Sequence, residues 1–461
     1  MAFKRVVNSR FHLLCIIVLF VSSSILRAGS ETENELTLQE ALRLADEQNL
    51  LLNSARHERE VAKGQVMQAR SIVYPHLNLS GRYVRLDELV KMGSGENVTT
   101  IGQLDNYEVL AEVTQVIYAG GGVRAALKLA HEYADGVDAQ VETARQKTAF
   151  AVHATFNQVL LAKEQLAVAR EAVEFAEKTL HDVNALLRQG IATNFDKLRA
   201  ESRVSQSKAE CIAAENACHL TKLALLNMLN LPLDDPREIV GTLHYQPVQP
   251  DALEAVAIAL ENRPDLDAAK RFHAAQEQAV KIMRSGYMPN LAAFGQYKYV
   301  NPDRFYQAEW ESSWLVGLRI GLSLFDGNET RGKVRQEKAR ARQSALQLEN
   351  LFAQVRLEVA KAEADMISSG NLVDAFAKNI VEAEEALRLV QRAYEQGVQA
   401  QIDVITAQVA LTDARRRYAT AVYQHTMARR GWELAMGILS FQQPVELPVE
   451  PKREGIESQG E

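Results

Sequence analysis

Two duplicated turns each place a carboxylate near the start of a helix. The first turn reads Gly190-Ile-Ala-Thr-Asn-Phe-Asp196, and the second, 207 positions later, reads Gly397-Val-Gln-Ala-Gln-Ile-Asp403. A glycine just past a long apolar repeat is the usual left-handed stop of a helix. A carboxylate in the first turn of the next helix caps its free N–H groups and is stabilised by its dipole. Residue types alone therefore predict Gly190 and Gly397 as helix stops, and Asp196 and Asp403 as helix caps.

The sequence contains no constellation typical of an enzyme. It has no nucleophile–base–acid set, no glycine-rich phosphate loop, and ten scattered histidines without a pair at metal-ligand spacing. Cys211 and Cys218 lie about 10 Å apart along a predicted helix, which is too far for a disulfide. We therefore predict packed thiols, no metal site, no cofactor and no enzymatic activity.

Long helices must position the two turns. Apolar residues alternate at spacings of three and four from Leu166 to Leu187, and the same spacing and phase return from Val373 to Tyr394. An apolar repeat of 3.5 residues makes helices supercoil around their neighbours. The chain is therefore predicted to be duplicated, with two coiled hairpins whose long helices would each extend about 100 Å.

Each repeat also contains two predicted strands with unlike faces. Apolar and polar residues alternate from Ser312 to Phe325, with Arg319 on the polar face, and from Tyr107 onward, where Glu108 and Glu112 take that face. Such alternation predicts half-buried strands, and about a dozen residues can cross a bilayer when tilted. The alternative is a soluble hairpin with one face on a core, although nothing else in the chain could cover so apolar a face.

The number of strands limits the possible assemblies. A sheet that spans lipid has to close, and four strands are too few to do so. Two copies would give eight strands, whose interior side chains nearly fill the barrel, whereas three copies would give twelve and leave a lumen. A trimer is therefore the smallest assembly that could conduct.

These patterns predict the following order of segments. Residues 1–28 have a basic start and a short apolar core, which predicts a signal peptide without a lipid anchor. One helix is predicted over 36–72, and a disordered tail over 441–461. The first repeat is predicted over 36–240, with strands at about 77–90 and 106–119 and long helices at about 121–189 and 195–231. The second is predicted over 250–440, with strands at about 291–301 and 312–325 and long helices at about 328–396 and 402–439.

Ordered motifs across nearly the whole mature chain resemble the TolC-like outer membrane efflux family. They are Leu36-Thr-Leu-x-Glu-Ala-Leu, Tyr74-Pro75, Leu324-Phe325-Asp326-Gly327, Ala393-Tyr394-x-x-Gly397 followed by Ile402-Asp403-Val404-Ile405, and Ala435-Met436-Gly437. The resemblance implies a mostly α-helical chain whose homotrimer forms a 12-strand β-barrel continued by a 12-helix periplasmic tunnel. It also implies an outer membrane channel that docks onto a periplasmic adaptor and an inner membrane RND, ABC or MFS pump. Such systems export drugs, toxic compounds or proteins, the last by type I secretion.

The resemblance also implies a gate at the helix turns. In the family a ring of aspartates narrows the tunnel entrance, and three copies of Asp403 would form a ring that selects cations. The family ties the turn through a tyrosine, an arginine and an aspartate. Tyr394 and Asp196 match two of these, whereas Gln399 stands at the arginine and Thr406 at a second ring aspartate. Weaker neutral hydrogen bonds are therefore expected to hold the closed state.

Two further surfaces are predicted, the first from the same resemblance and the second from the faces of the strands. The grooves around Gly190 and Gly397 are where the helical tips of the adaptor would sit. Arg319, Glu108 and Glu112 would belong to the polar lining of the barrel lumen.

Charge and patterning weigh against other classes of protein. The net charge of −7 and the lack of a stretch that interleaves arginine with aromatics exclude a nucleic-acid partner. A periplasmic coiled-coil adaptor or scaffold is the alternative function. The apolar strand at 312–325 favours the channel, because a scaffold does not need a continuous face suited to lipid.

Overall fold

The computed structural model describes residues 35–92, 99–248, 250–303 and 307–441. The predicted signal peptide at 1–28 and residues 442–461 of the predicted tail lie outside these ranges. Phe441 is described, and its ring packs against the core beneath the guanidinium carbon of Arg145, 5.3 Å from the ring centroid. The prediction of a disordered tail is therefore wrong at Phe441, because this side chain is anchored by the core.

The two halves of the chain share one order of main elements, and within the described residues the first half has two additional short strands and the second a 3-10 turn. The first half comprises β1 (Glu35–Leu36), α1 (Leu38–Gln48), α2 (Leu50–Ser71), β2 (His76–Arg85), β3 (Val90–Met92), β4 (Thr99–Ile101), β5 (Asp105–Ala119), α3 (Gly122–Arg188) and α4 (Asn194–Met228). The second comprises β6 (Glu238–Ile239), α5 (Ala252–Asn262), α6 (Pro264–Arg284), a 3-10 turn (Ser285–Tyr287), β7 (Asn290–Asn301), β8 (Glu311–Gly321), α7 (Glu329–Glu395) and α8 (Gln401–Ala435). The duplication extends to length, since α3 and α7 have 67 residues each and α4 and α8 have 35 each. Among the described residues, no helix combines the length and apolar character needed to cross a bilayer.

The single helix predicted over 36–72 is wrong, because Leu36 belongs to β1 and Asn49 separates α1 from α2. The Asn49 backbone leaves the helical region at φ −61° and ψ 125°. Its side-chain oxygen accepts a hydrogen bond from the Leu52 N–H at 3.0 Å, and its amide nitrogen donates to the Met228 carbonyl at 3.0 Å. Asparagine favours such local bonds over a continuous helix. The second half breaks at the matching place, at Arg263, and there Pro264 was a signal in the sequence.

Four strands form an antiparallel sheet in the order β2-β5-β7-β8. The register sets the strand ends. Gly321 pairs with Asn290, the first residue of β7, so β8 runs out of partners there and stops short of the predicted end at 325. Likewise Arg85 pairs with Asp105, the first residue of β5, so β2 ends before the predicted position at about 90. Beyond it β3 and β4 pair with each other.

Two compact units divide the chain. The described part of one unit lies within Met1–Asn53, Ala144–Arg263 and Val355–Glu461, and it contains the helix turns. A cluster of fully buried side chains forms its core, including Leu36, Leu225, Leu229, Phe156 and Ile239. The other unit comprises Ser54–Thr143 and Pro264–Gln354 and contains the sheet.

Candidate functional site: the two hairpin turns

Both turns carry the same helix stop. Gly190 and Gly397 have the same backbone angle, φ +74°. In each copy the glycine N–H donates to the carbonyl three residues back, and the next N–H donates to the carbonyl five residues back, at 2.9–3.0 Å. This pair of bonds is the Schellman motif, which needs a left-handed residue that glycine adopts without strain. A Cβ at either glycine would meet no atom within 4 Å, so the backbone angle sets the requirement and the surface around it is open.

The first turn ends in a complete capping box. The Thr193 hydroxyl oxygen accepts a hydrogen bond from the Asp196 N–H at 3.2 Å. The Asp196 carboxylate in return accepts from the Thr193 N–H at 3.0 Å and from its hydroxyl at 2.6 Å. These bonds, first of all the hydroxyl, lower the pKa of Asp196 because they favour the ionised carboxylate. Asp196 is therefore a cap of α4.

The second turn has only half of this box. The Asp403 carboxylate accepts a hydrogen bond from the Ala400 N–H at 3.2 Å. Ala400 has no side-chain oxygen, so the N–H groups of the first turn of α8 lack the partner that Thr193 supplies in α4. Asp403 is half-buried and also caps its helix.

Packing rather than hydrogen bonding places Tyr394. Its ring lies half-buried against a cluster of Leu387, Val404 and Leu411 at the end of the second hairpin. Burial raises the pKa of the Tyr394 hydroxyl, and the nearby negative charges of Asp196 and Asp182 raise it further. The structure thus brings Tyr394 close to Asp196.

The expected tie of neutral hydrogen bonds in the closed state stays a prediction. Within the described ranges, neither the Tyr394 hydroxyl nor the Gln399 amide makes a side-chain hydrogen bond. Gln399 is exposed on this chain. Thr406, at the expected second ring position, is also exposed, and its hydroxyl donates to the Ile402 carbonyl at 2.8 Å.

Two glutamines at this site were not foreseen from the sequence. Gln401, the first residue of α8, is only 5% exposed, and among the described residues neither its amide oxygen nor its amide nitrogen has a hydrogen-bond partner. Gln408 lies two turns further along the same helix. Its buried amide oxygen also has no hydrogen-bond partner among the described residues. Unpaired buried amides are costly, so this junction is poorly satisfied. No local signal marks either residue, since their burial depends on the packing of other helices.

The three charged residues predicted on the sheet share one face of it, as the strand register requires. The Glu108 carboxylate lies 2.8 Å from the Lys298 ammonium and 3.5 Å from the Arg82 guanidinium, on the two flanking strands. Glu112 accepts a hydrogen bond from the Thr114 hydroxyl at 3.4 Å. The Arg319 guanidinium lies over the Phe294 ring, 5.3 Å from its centroid. All three are thus engaged by neighbours on the polar face.

Comparison with known proteins shows the family of the chain. The profile of the family described as "Outer membrane efflux protein" matches residues 41–231 and 255–437. The alkaline protease secretion protein AprF of Pseudomonas aeruginosa is 22% identical over 308 residues, which cover 66% of this chain and 64% of AprF, just under two thirds of that relative. The cobalt-zinc-cadmium resistance protein CzcC of Cupriavidus metallidurans is 27% identical over 399 residues, 84% of this chain and 87% of CzcC.

A solved structure shares the fold. The crystal structure of the outer membrane protein VceC from Vibrio cholerae superposes with a TM-score of 0.75 at 19% identity, covering 88% of this chain and 97% of VceC. Such a similarity at low identity shows the fold, and the family profile covers most of the chain. The chain therefore belongs to the outer membrane efflux protein family, and its place is the bacterial outer membrane.

Proposed function

We propose that three copies of this chain form a passive channel, the outer membrane exit duct of a tripartite efflux or type I secretion system. The four-stranded sheet is the observation that carries the proposal. Within the described residues, β2 and β8 each pair along one edge only. In lipid, every backbone N–H and C=O must be paired, so such a sheet has to be completed by strands from other copies.

One face of the sheet suits lipid. On β8 the outward side chains Trp314, Val316, Leu318 and Ile320 are 66–73% exposed, and on β2 Leu77 and Leu79 are 71% and 75% exposed. Soluble monomers rarely expose so large a contiguous apolar surface. Aromatic rings gather at one end of the sheet, with Tyr83 and Tyr107 centred 5.0 Å apart and Tyr299 stacked on Trp310 at 4.7 Å. A girdle of this kind is typical of the membrane interface of a barrel.

The strand order supports closure by three copies. Because all four strands are antiparallel in the order β2-β5-β7-β8, β8 of one copy would run antiparallel to β2 of the next. Three copies then make a closed barrel of twelve strands, which is wide enough to leave a lumen. Glu108, Glu112 and Arg319 would line that lumen, since they lie on the polar face.

The long helices support a tunnel with a gate. Four long helices per chain, α3, α4, α7 and α8, would give twelve in a trimer. Three Asp403 side chains at the turns would form a carboxylate ring that selects cations. The open surface around Gly190 and Gly397 would receive a periplasmic adaptor, which connects the channel to an inner membrane RND, ABC or MFS pump. We also propose that the protein has no enzymatic activity of its own.

The two relatives do not assign a cargo. CzcC is named for cobalt-zinc-cadmium resistance and AprF for protease secretion, so the proposal is limited to the exit duct that both kinds of system require.

Conductance tests the proposal. The detergent-purified protein, added to a planar lipid bilayer at two salt concentrations, should insert as a trimer and give steady cation-selective steps. Protein that stays monomeric and fails to insert would contradict the channel and would favour a periplasmic scaffold.

A further inference from the structure

A groove at the sheet end of α7 is lined by four cations. Arg284 is the last residue of α6, and Arg331, Arg335 and Lys338 lie in the first three turns of α7. The groove has a volume of about 550 Å³. The spacings of four and three between these α7 residues put their side chains on one face of the helix. The nearly buried side chain of Val334 lies between them.

None of these cations has an acidic partner in the part of the chain that the structure describes, where Arg284, Arg331, Arg335 and Lys338 form no ion pair or side-chain hydrogen bond. Their neighbours on α7 do pair, since Lys333 lies 2.6 Å from Glu329 and Arg340 lies 2.6 Å from Glu337. Four adjacent unpaired cations repel one another, and the chain as a whole carries a net charge of −7. The groove is therefore electrostatically suited to an external anion.

The duplication repeats part of this arrangement. Arg124 and Lys128 stand in α3 where Arg331 and Arg335 stand in α7, each 207 positions earlier. Both are exposed, and within the described ranges neither forms an ion pair. At the position of Lys338 the first repeat has His131, whose ring nitrogen lies 3.3 Å from a guanidinium nitrogen of Arg70. Both repeats thus start their long helix with unpaired cations, and the second repeat has more of them.

Exposed apolar side chains adjoin the cations. Tyr287 and Met288 line the same groove and are 51% and 53% exposed, and β7 begins two residues later at Asn290. Between β8 and α7, Leu324 and Phe325 are 91% and 84% exposed. A tyrosine with one apolar and one wet end is typical of the membrane interface. The cations suit the phosphate of a ligand, and the exposed apolar side chains beside them suit its acyl chains.

We propose that this groove binds the phosphate headgroup of an anionic phospholipid in the leaflet nearest α7. The proposal rests on the membrane channel proposed above, because it requires the sheet to lie in lipid. Guanidinium groups bind phosphate through two parallel N–H···O bonds, and an ammonium adds a compact charge. Cations next to a membrane-spanning segment attract anionic headgroups. Bound lipid would fix the depth of the sheet in the bilayer.

Native mass spectrometry of the full-length trimer in detergent tests this. The probes are phosphatidylglycerol and phosphatidylcholine with the same acyl chains, offered in competition. The groove variant combines Arg331→Gln, Arg335→Gln and Lys338→Gln. The control combines Lys333→Gln, Arg340→Gln and Arg342→Gln, which removes the same charge from the same helix outside the groove.

The unsubstituted trimer should retain phosphatidylglycerol over phosphatidylcholine by at least about fivefold. The groove variant should lose that preference, and the control should keep it. Equal retention of the two lipids, or a groove variant that keeps the preference, would overturn the inference. Displacement of the lipid by inorganic phosphate at equal concentration would also overturn it, because it would indicate a site for a free anion. A groove variant that is monomeric would overturn it as well, because it would indicate that the groove is a contact between subunits. A trimer that conducts without lipid preference counts against this inference alone, whereas a chain that neither trimerises nor conducts counts against the channel.

Discussion

Ala400 occupies in the second repeat the position that Thr193 occupies in the first, so only the first of the two turns has a hydroxyl that caps its return helix. Around this difference the turns share their glycine angle and their backbone hydrogen bonds. Asp196 and Asp403 accept from the matching backbone N–H groups at 3.0 and 3.2 Å. The second turn is therefore the more weakly capped one, and it also carries the proposed selectivity residue.

Exchanging threonine and alanine at the two capping positions should exchange the stabilities of the two helix starts. Ala400→Thr should stabilise the start of α8, and Thr193→Ala should destabilise the start of α4, each by about 1 kcal/mol. Hydrogen exchange of peptides that cover each turn measures both. Equal exchange in the variants and the unsubstituted protein would show that the hydroxyl does not decide the difference.

Acid should loosen the first turn. The pKa of Asp196 lies below its ordinary value of 3.8, so the carboxylate stabilises the fold above that pH and the stabilisation is lost as the pH falls through the lower folded value. A spin label at the exposed Leu198 position should become more mobile only below the usual carboxyl range. Asp196→Asn should abolish this change with pH. A label that moves alike in both proteins would mean that another group titrates.

The charge and the capping role of Asp403 can be separated. Asparagine can still accept the Ala400 N–H but carries no charge, so Asp403→Asn should reduce cation selectivity while leaving the turn ordered. Asp403→Ala should reduce selectivity and also loosen the turn. Reversal potentials in a salt gradient measure the first effect, and hydrogen exchange the second. If Asp403→Asn keeps full selectivity, the aspartate is only a helix cap.

Tyr394 should act through its ring. The Tyr394 hydroxyl makes no hydrogen bond within the described residues, so Tyr394→Phe should leave the conductance and the opening frequency of the channel unchanged. Tyr394→Ala removes packing from the Leu387, Val404 and Leu411 cluster, which should cost on the order of 1–2 kcal/mol for a half-buried ring. Its channels should therefore open more often. If the Phe variant opens as often as the Ala variant, the Tyr394 hydroxyl, and not its ring, holds the turn closed.

Local signals in the sequence located the elements that depend on local chemistry. The apolar repeat and the glycine stops predicted long helices at about 121–189 and 328–396, and the structure has Gly122–Arg188 and Glu329–Glu395. Alternation likewise separated Glu108, Glu112 and Arg319 from the apolar face.

Features that depend on distant partners were missed. The break at Asn49 is held by the carbonyl of Met228, far along the chain, and the end of β8 is set by where β7 begins. The burial of Gln401 depends on helix packing, and its unsatisfied amide has no local signature.

Cross-linking between chains tests the closed trimeric barrel most directly. Cys211 and Cys218 are first replaced by serine. Ser80→Cys in β2 is then combined in turn with Ser313→Cys, Leu315→Cys or Arg319→Cys in β8, all on the polar face by the strand register. Ser80→Cys with Ser312→Cys, on opposite faces, is the control. At least one polar-face pair should give, on oxidation in the membrane, a covalent species of three chains that reductant dissolves. Products that end at two chains, or cross-links as strong in the control, would contradict a barrel closed by three copies.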